Sequence, residues 1–175
     1  MDKKIRVAIN GAGRIGRAFL KLSQNYPEIE VVAINDLGDI ENIAYLIKYD
    51  TAYGRAAFPV SVKEGKDGFL INNKEVKFIS QKEANLLPWK DLDIDVVVES
   101  TGAFTSFEKA KVHVEAGAKR VVITAPAKDA PIDETQATVL MGINDEKLEK
   151  TQVSSNASCT TNAGSPLMQI LHEKI

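Results

Sequence analysis

The chain has 175 residues, of which 44% are hydrophobic, and a formal net charge of -2. This length fits one generous domain, or one domain and the start of another, with ample apolar material for a core. The weak negative charge and the lack of a basic patch argue against a nucleic-acid partner. A single cysteine excludes an internal disulfide, so the chain is unlike disulfide-stapled secreted domains.

The amino terminus is not expected to be a secretory signal. Its apolar run starts at Ile5 and is interrupted at once by Arg6, whereas a signal peptide needs an apolar core of about 7 residues or more. No stretch approaches the ~18 apolar residues of a membrane span. We therefore expect a soluble, cytoplasmic protein without membrane contact.

The first quarter of the chain alternates between strand and helix patterns. Residues 5–9 form an apolar run before a glycine-rich turn, which is typical of a buried parallel strand. Apolar residues at helical spacing then predict a helix over 13–25. Residues 29–34 are rich in β-branched side chains and predict a second strand, and Asp39 is suited to cap a second helix. This order predicts a parallel sheet with right-handed crossovers.

The next segment predicts antiparallel strands. Short strand patterns are separated by turns that contain Asp67-Gly68 and Asn72-Asn73, which is typical of hairpins. The predicted strands are residues 58–63, 69–72 and 75–79. We interpret them as an antiparallel excursion from the main sheet.

The parallel pattern then resumes. It predicts a strand at 95–99, a helix at 106–115, a strand at 120–124, and short strands near 138–141 and 152–155. Residues 129–136 read as a polar loop, and 160–173 as a final helix whose first turns are weakened by Gly164 and Pro166. The predicted fold class is α/β, a Rossmann-type, doubly wound, mostly parallel sheet.

Residues 11–16, Gly-Ala-Gly-Arg-Ile-Gly, match a dinucleotide-binding fingerprint. They follow a predicted strand, open a predicted helix and lie in a βαβ unit, which is the context that the motif requires. Gly11 would allow the tight turn, Gly13 the approach of a pyrophosphate, and Gly16 the close packing of helix on strand. The helix N–H groups would hold the phosphates. The alternative is a plain turn between strand and helix.

Asp36 lies about 20 residues beyond the glycine motif, where an acid binds the hydroxyls of the adenosine ribose. Its carboxylate would repel a ribose 2′-phosphate, and Leu37 follows it instead of an arginine. Together these features predict NAD, in preference to NADP. The alternative is that Asp36 only caps the next turn.

Small and hydroxylated residues follow two later predicted strands. Thr101 and Gly102 come after the first, and Thr124 ends the second. Ligands of open α/β sheets bind outside the carboxyl ends of strands, so these residues are candidate cofactor contacts. Ordinary connections between strand and helix are an equal alternative.

The single cysteine, Cys159, lies in a polar segment at the predicted start of the last helix. A helix N-terminus favours the thiolate, which attacks carbonyl carbons, and its N–H groups can stabilise a tetrahedral oxyanion. The local pattern alone leaves a catalytic nucleophile and an inert thiol equally open.

A catalytic thiol needs a base, and the chain has two histidines. His113 is predicted on a helix behind the sheet. His172 follows Cys159 on the same helix at about 20 Å, given a rise of ~1.5 Å per residue. We expect both histidines to be structural and the base to be missing from these residues.

Five segments, in order along the chain, resemble phosphorylating glyceraldehyde-3-phosphate dehydrogenase. They are residues 7–17, 32–37, 49–54, 99–104 and 155–162. The likeness runs from Lys4 to the end, and the segment around Cys159 is the most specific. The resemblance implies that Cys159 forms a thioester while NAD and inorganic phosphate convert glyceraldehyde 3-phosphate to 1,3-bisphosphoglycerate.

The resemblance also implies roles for further residues. Arg14, Ile15 and Lys82 would contact NAD, and Ser158 and Thr160 would help to hold a phosphate group. It implies a homotetramer, so we expect the chain to form homo-oligomers or to aggregate. No metal ligands are assigned.

Three departures from the family pattern qualify this interpretation. Ala163-Gly164-Ser165 stands where members commonly carry a second cysteine, and Gln81-Lys82-Glu83 replaces acid-Arg-Asp. We expect most of the catalytic domain, including its base histidine and phosphate-binding arginine, to be missing. The predicted division is an NAD-binding domain at 1–157 and the start of a catalytic domain at 158–175.

Two alternatives stay open at this point. Erythrose-4-phosphate dehydrogenase shares the motifs, and a non-catalytic NAD-binding module would also carry the glycine loop. In either case we expect little or no turnover from the 175 residues alone, because general base catalysis contributes about 10²–10⁴-fold.

Overall fold

A computed structural model describes residues 3–175. The strands are β1 (Ile5–Asn10), β2 (Ile29–Asn35), β3 (Tyr49–Asp50), β4 (Gly54–Arg55), β5 (Val60–Val62), β6 (Gly68–Ile71), β7 (Lys74–Ile79), β8 (Val96–Glu99), β9 (Arg120–Ile123), β10 (Gln136–Thr138) and β11 (Val153–Ser155). The α-helices are α1 (Arg14–Ser23), α2 (Ile40–Lys48), α3 (Phe107–Ala110), α4 (Val112–Glu115) and α5 (Cys159–Lys174).

Nine of these strands form one sheet in the order β10-β11-β9-β8-β1-β2-β7-β6-β5 across the described residues. The pairs from β10 to β7 are parallel, and β5-β6-β7 are antiparallel. The predicted fold class is confirmed, including the antiparallel excursion. Because β2 and β8 flank β1, the strand order reverses beside β1, where open α/β sheets bind their ligands.

Two apolar clusters cover the two faces of the sheet. One packs Leu20 of α1 and Ile47 of α2 against the strands. The other contains Trp89, Phe107 and Val121, all of them 0% exposed. Strand residues alternate between the two clusters, as expected for a sheet that is buried on both faces.

The helix starts follow from local capping. The carboxylate of Asp39 accepts a hydrogen bond from the N–H of Asn42 at 2.9 Å, so the predicted cap of α2 is confirmed. Ser106 caps α3 in the same way. The predicted helix over 106–115 is instead two single turns, α3 and α4, which meet at Lys111.

The strand predicted near 138–141 was placed too far along the chain, since β10 ends at Thr138. Asn144 explains the shift: its Oδ1 accepts from the N–H of Leu140 at 2.8 Å, and its Nδ2 donates to the carbonyl of Thr138 at 3.0 Å. These bonds turn the chain out of the sheet. The β3-β4 hairpin and two 3-10 helices, at Ala84–Leu86 and Asp145–Glu149, were not predicted.

No helix within residues 3–175 has both the length and the apolar character needed to cross a membrane. The cytoplasmic location stays a prediction.

Candidate functional site

A crevice of about 570 Å³ opens at the carboxyl ends of β1, β2 and β8. Five of the residues predicted to bind a cofactor line this crevice: Gly11, Gly13, Asp36, Lys82 and Thr101. They come from four separate segments of the chain, which the strand order brings to one edge of the sheet. The structure therefore assembles about half of the predicted set in a single cavity.

The other predicted cofactor residues lie around this cavity. Gly16 is buried behind the loop, and Arg14, Ile15 and Gly102 are exposed and do not line the crevice. Thr124 lies at the end of β9, where its hydroxyl donates to the carbonyl of Glu99 at 3.0 Å.

The glycine loop has a backbone that other residues would strain. Gly11 has a φ of 95°, and a Cβ there would lie 2.7 Å from the backbone nitrogen of Thr101. A Cβ on Gly16 would overlap the carbonyl oxygen of Gly11. At Gly13 the space toward the crevice is open, since the nearest atom to a Cβ there would be the carbonyl oxygen of Ser100, at 4.0 Å. The loop is thus tight on its protein side and open on its crevice side.

Two groups near the loop lack an internal hydrogen-bond partner in the described part of the chain. The N-cap of α1 is Gly13, which has no side chain to bond the first N–H groups of the helix. The buried hydroxyl of Ser100 has no hydrogen-bond partner within residues 3–175. Free N–H groups at a helix N-terminus bind phosphates, so the residues present fit the pyrophosphate of a dinucleotide.

Asp36 holds the glycine loop against β2. Its Oδ2 accepts from the N–H of Ala12 at 2.7 Å, and its Oδ1 accepts from the N–H of Gly38 at 2.8 Å. Both the turn-capping alternative and a ligand role are compatible with this geometry, because each carboxylate oxygen keeps a second lone pair. The side chain is partly exposed toward the crevice.

The opposite wall is fixed by Asn35, which the sequence analysis did not single out. Its Oδ1 accepts from the N–H of Gln81 at 2.9 Å, and its Nδ2 donates to the carbonyl of Gln81 at 3.0 Å. Lys82 follows directly and is exposed. Two asparagines at the ends of apolar strands, Asn10 and Asn35, were the available signal.

Arg14 belongs to a second groove of about 350 Å³, outside the dinucleotide crevice. Asp50 also lines it, and the N–H groups of Tyr53 and Ala52 hold the pKa of that carboxyl below its usual value. The side chain of Arg14 therefore faces a different surface from the predicted phosphate site.

Cys159 is exposed and is the first residue of α5, a helix of 16 residues. The hydroxyl of Ser158 caps this helix by accepting from the N–H of Thr161 at 3.0 Å, and it lies 2.8 Å from the hydroxyl of Thr160. Asn162 donates to the carbonyl of Ser158 at 2.9 Å. The thiol and both predicted phosphate contacts thus share one capped helix start.

The thiol and the crevice lie along the same edge of the sheet. Cys159 follows β11, and β9 and β8 separate β11 from β1. Three strand spacings of about 4.8 Å place the ends of β1 and β11 about 14 Å apart. Asp36, after β2, therefore lies on one side of β1, and Thr124 and Cys159, after β9 and β11, lie on the other.

Neither histidine lies at the thiol. His113 is 0% exposed, and its ring bonds to Glu99 and Trp89 on the far side of the crevice wall. His172 lies in the last turn of α5, at the opposite end of the helix from Cys159.

Comparison with known proteins assigns this arrangement to a family. Residues 5–107, more than half of the chain, match the family described as glyceraldehyde 3-phosphate dehydrogenase, NAD binding domain. The chain belongs to the glyceraldehyde 3-phosphate dehydrogenase family. It therefore contains the NAD-binding domain of that family, and the predicted cofactor is confirmed.

Curated relatives carry the family name. Glyceraldehyde-3-phosphate dehydrogenase of Thermotoga maritima is 46% identical over 172 residues, which is 97% of this chain and 50% of the relative. That of Clostridium acetobutylicum is 48% identical over 170 residues, 97% of this chain and 49% of the relative. Glyceraldehyde-3-phosphate dehydrogenase 2 of Bacillus subtilis is 43% identical over 173 residues, which is 98% of this chain and 49% of the relative. The chain thus spans about half the length of the curated relatives that it matches.

Proposed function

We propose that this chain supplies the NAD site and the nucleophile for the oxidative phosphorylation of glyceraldehyde 3-phosphate. The observation that carries the proposal is the exposed Cys159 at the start of α5, on the same sheet edge as the NAD crevice. The domain division at 157/158 is part of the proposal, since β11 ends the sheet and α5 begins the nucleophile segment.

The crevice residues hold the cofactor in this proposal. The start of α1 at Gly13 would bind the pyrophosphate, Asp36 the adenosine ribose, and Thr101 and Thr124 the other half. When bound, NAD would supply the hydride acceptor for the reaction.

Cys159 performs the covalent chemistry. Its thiolate attacks the aldehyde carbon, which forms a carbon–sulfur bond and an alkoxide, and a proton from water converts the alkoxide to a hemithioacetal. Loss of a hydride to the cofactor and of the hydroxyl proton to water leaves a thioester. An oxygen of inorganic phosphate then attacks the thioester carbon, and the carbon–sulfur bond breaks to release 1,3-bisphosphoglycerate and the thiolate.

Groups around the thiol support these steps. In the first turn of α5, Ser158 engages the N–H groups of Thr161 and Asn162, which leaves those of Cys159 and Thr160 to stabilise a developing oxyanion. The hydroxyls of Ser158 and Thr160 lie side by side and can donate to a phosphate.

Proton transfer is the step that these residues do not supply. His113 is buried and His172 lies at the far end of α5. We therefore propose that the 175-residue polypeptide forms thioester slowly and turns over little, since a positioned base contributes about 10²–10⁴-fold.

A burst experiment tests this function. The polypeptide is mixed with NAD and glyceraldehyde 3-phosphate without phosphate, and NADH absorbance and intact mass are recorded. We expect slow formation of up to one NADH per chain, with an acyl mass increment that Cys159→Ser abolishes. NADH formation by Cys159→Ser at the wild-type rate would contradict the nucleophile assignment, and steady turnover on adding phosphate would contradict the missing base.

Homo-oligomer formation is also proposed. Along α5 no residue is buried, and its apolar side chains include Leu167 at 60%, Met168 at 65% and Ile170 at 57% exposed. Exposed apolar surface of this kind favours association. Light scattering should give a mass above the monomer's; a monodisperse monomer at high concentration would refute the proposal.

A further inference from the structure

A cluster of polar side chains lies buried behind the NAD crevice. Glu99 is 2% exposed, Asn10 2%, Asn35 5% and His113 0%. These side chains come from β8, β1, β2 and α4, and they form one connected set of hydrogen bonds. A buried carboxylate is costly unless donors surround it, so the use of a glutamate here needs a reason.

Glu99 is surrounded by donors on both carboxylate oxygens. Its Oε1 accepts from the N–H of Thr101 at 2.8 Å and from the hydroxyl of the same residue. Its Oε2 accepts from Nδ2 of Asn10 at 2.6 Å and from the ring of His113 at 3.0 Å. Thr101 lines the crevice, so this carboxylate fixes one of its walls.

The tautomer of His113 follows from Trp89. The indole N–H of Trp89 can only donate, and it points at Nδ1 of His113 at 3.1 Å. Nδ1 must therefore accept, and the ring proton lies on Nε2, where it is donated to Glu99. His113 is neutral in this arrangement, and its contact with Glu99 is a hydrogen bond from a neutral imidazole.

The same carboxylate orients a chain of amides that reaches the opposite wall. With its Nδ2 committed to Glu99, Asn10 presents Oδ1 to Nδ2 of Asn35, which donates to it at 2.7 Å. Asn35 is thereby oriented to bond both the N–H and the carbonyl of Gln81. Gln81 and the adjacent Lys82 line the crevice.

We propose that Glu99 is a positioning residue for NAD, which sets the Thr101 wall directly and the Gln81 wall through Asn10 and Asn35. His113 supports it as a donor whose tautomer Trp89 fixes. A carboxylate is required because all of its neighbours donate: an amide at this position would oppose a donor with a donor in either orientation. The proposal rests on NAD binding and not on the chemistry of Cys159, so its failure leaves the proposed reaction intact.

The first test compares Glu99→Gln with Val97→Ala by calorimetric titration with NAD. Val97 is 0% exposed and lies two residues earlier on the same face of β8, so its truncation destabilises the same strand without removing a hydrogen bond of the polar cluster. We expect Glu99→Gln to bind NAD about 10- to 100-fold more weakly than Val97→Ala does. This is the range for losing hydrogen bonds to a charged group. Affinities within about threefold of each other would overturn the proposal.

A second pair decides the question if Glu99→Gln does not fold. His113→Gln can donate to Glu99 and accept from Trp89, whereas His113→Leu can do neither. His113 is 0% exposed and does not itself line the crevice. We expect His113→Gln to bind NAD close to the wild-type affinity and His113→Leu to bind at least about fivefold more weakly. Equal affinities would overturn the role of this cluster.

A spectroscopic readout separates positioning from simple stability. Trp89 is the chain's single tryptophan, so its indole N–H gives one identifiable proton–nitrogen correlation. We expect NAD to shift this signal in the wild type and in Val97→Ala, because the indole bonds to the cluster that holds the crevice walls. A signal that is unmoved by saturating NAD in the wild type would contradict the connection.

Discussion

The NAD crevice and the nucleophile segment are held in place in different ways. Around the crevice, buried side chains from three strands bond one another, and apolar clusters pack on both faces of the sheet. In α5 no residue is buried, and its start is fixed by local caps from Ser158 and Asn162.

The difference separates two parts of the proposed reaction. Cofactor binding depends on long-range contacts that are complete within the packed sheet. The nucleophile depends on a helix start whose geometry is local, while the groups that would assist proton transfer are not beside it. Substitutions of one residue type in the two regions should therefore have effects of different size on stability and on NAD affinity.

The largest contrast is expected between two leucines. Leu20 is 1% exposed in the core under α1, and Leu167 is 60% exposed on α5. Leu20→Ala should lower the free energy of unfolding by about 2–5 kcal/mol through lost burial and a cavity, and Leu167→Ala by less than about 0.5 kcal/mol. Urea unfolding measures both; similar losses would mean that α5 packs as tightly as the core.

Two glycines give the next contrast. A Cβ on Gly16 overlaps the Gly11 carbonyl, whereas a Cβ on Gly164 meets no atom within 4 Å. Gly16→Ala should lower the free energy of unfolding by about 1–3 kcal/mol, and it should weaken NAD binding because it distorts the glycine loop. Gly164→Ala should stabilise α5 by up to about 1 kcal/mol, because alanine has a higher helix propensity than glycine. It should leave the NAD affinity unchanged. Wild-type NAD affinity in Gly16→Ala would argue against the loop geometry.

Two aspartates test the cofactor wall. Asp36→Asn keeps a single oxygen for two backbone donors, Ala12 and Gly38, and removes the charge that disfavours a 2′-phosphate. NAD should bind about tenfold more weakly, and the preference over NADP should narrow. Asp39→Asn is the control, because asparagine also caps helices well and this cap lies outside the crevice. A parallel loss in both variants would point to a general effect on α2.

The smallest effect is expected at Asp95, which lies at the amino end of β8, opposite the crevice. Burial acts to raise the pKa of Asp95, but the Lys119 ammonium and the N–H of Arg6 outweigh it, so the pKa lies below its usual 3.8. Asp95→Asn should cost about 1 kcal/mol at neutral pH without changing NAD affinity.

The pH dependence of that cost has a defined sign. The unfolded chain binds the proton first, so the contribution of Asp95 is complete above pH 3.8 and is lost as the pH falls through the lower folded-state value. The difference in stability between wild type and Asp95→Asn should therefore shrink on acidification. A difference that grows in acid would contradict the assigned shift.

Local signals in the sequence predicted the βαβ unit, the glycine loop and Cys159 at a helix start, because strand runs, glycines and caps act over a few residues. They could not predict the buried cluster. Its bonds join residues as far as 89 positions apart, as between Asn10 and Glu99, and no short pattern records which strands become neighbours. The edge strand β10 was predicted too far along the chain, because the side chain of Asn144 sets where the strand ends.

In the proposed complex, the nicotinamide half of NAD lies toward Cys159 and the adenosine half toward Asp36. Cys159 is the chain's single cysteine, so a nitroxide label attaches to one position, and its broadening of NAD proton signals can be measured. Stronger broadening of the nicotinamide protons than of adenine H8 is the predicted result. Equal broadening, or stronger broadening of adenine H8, would contradict the claim.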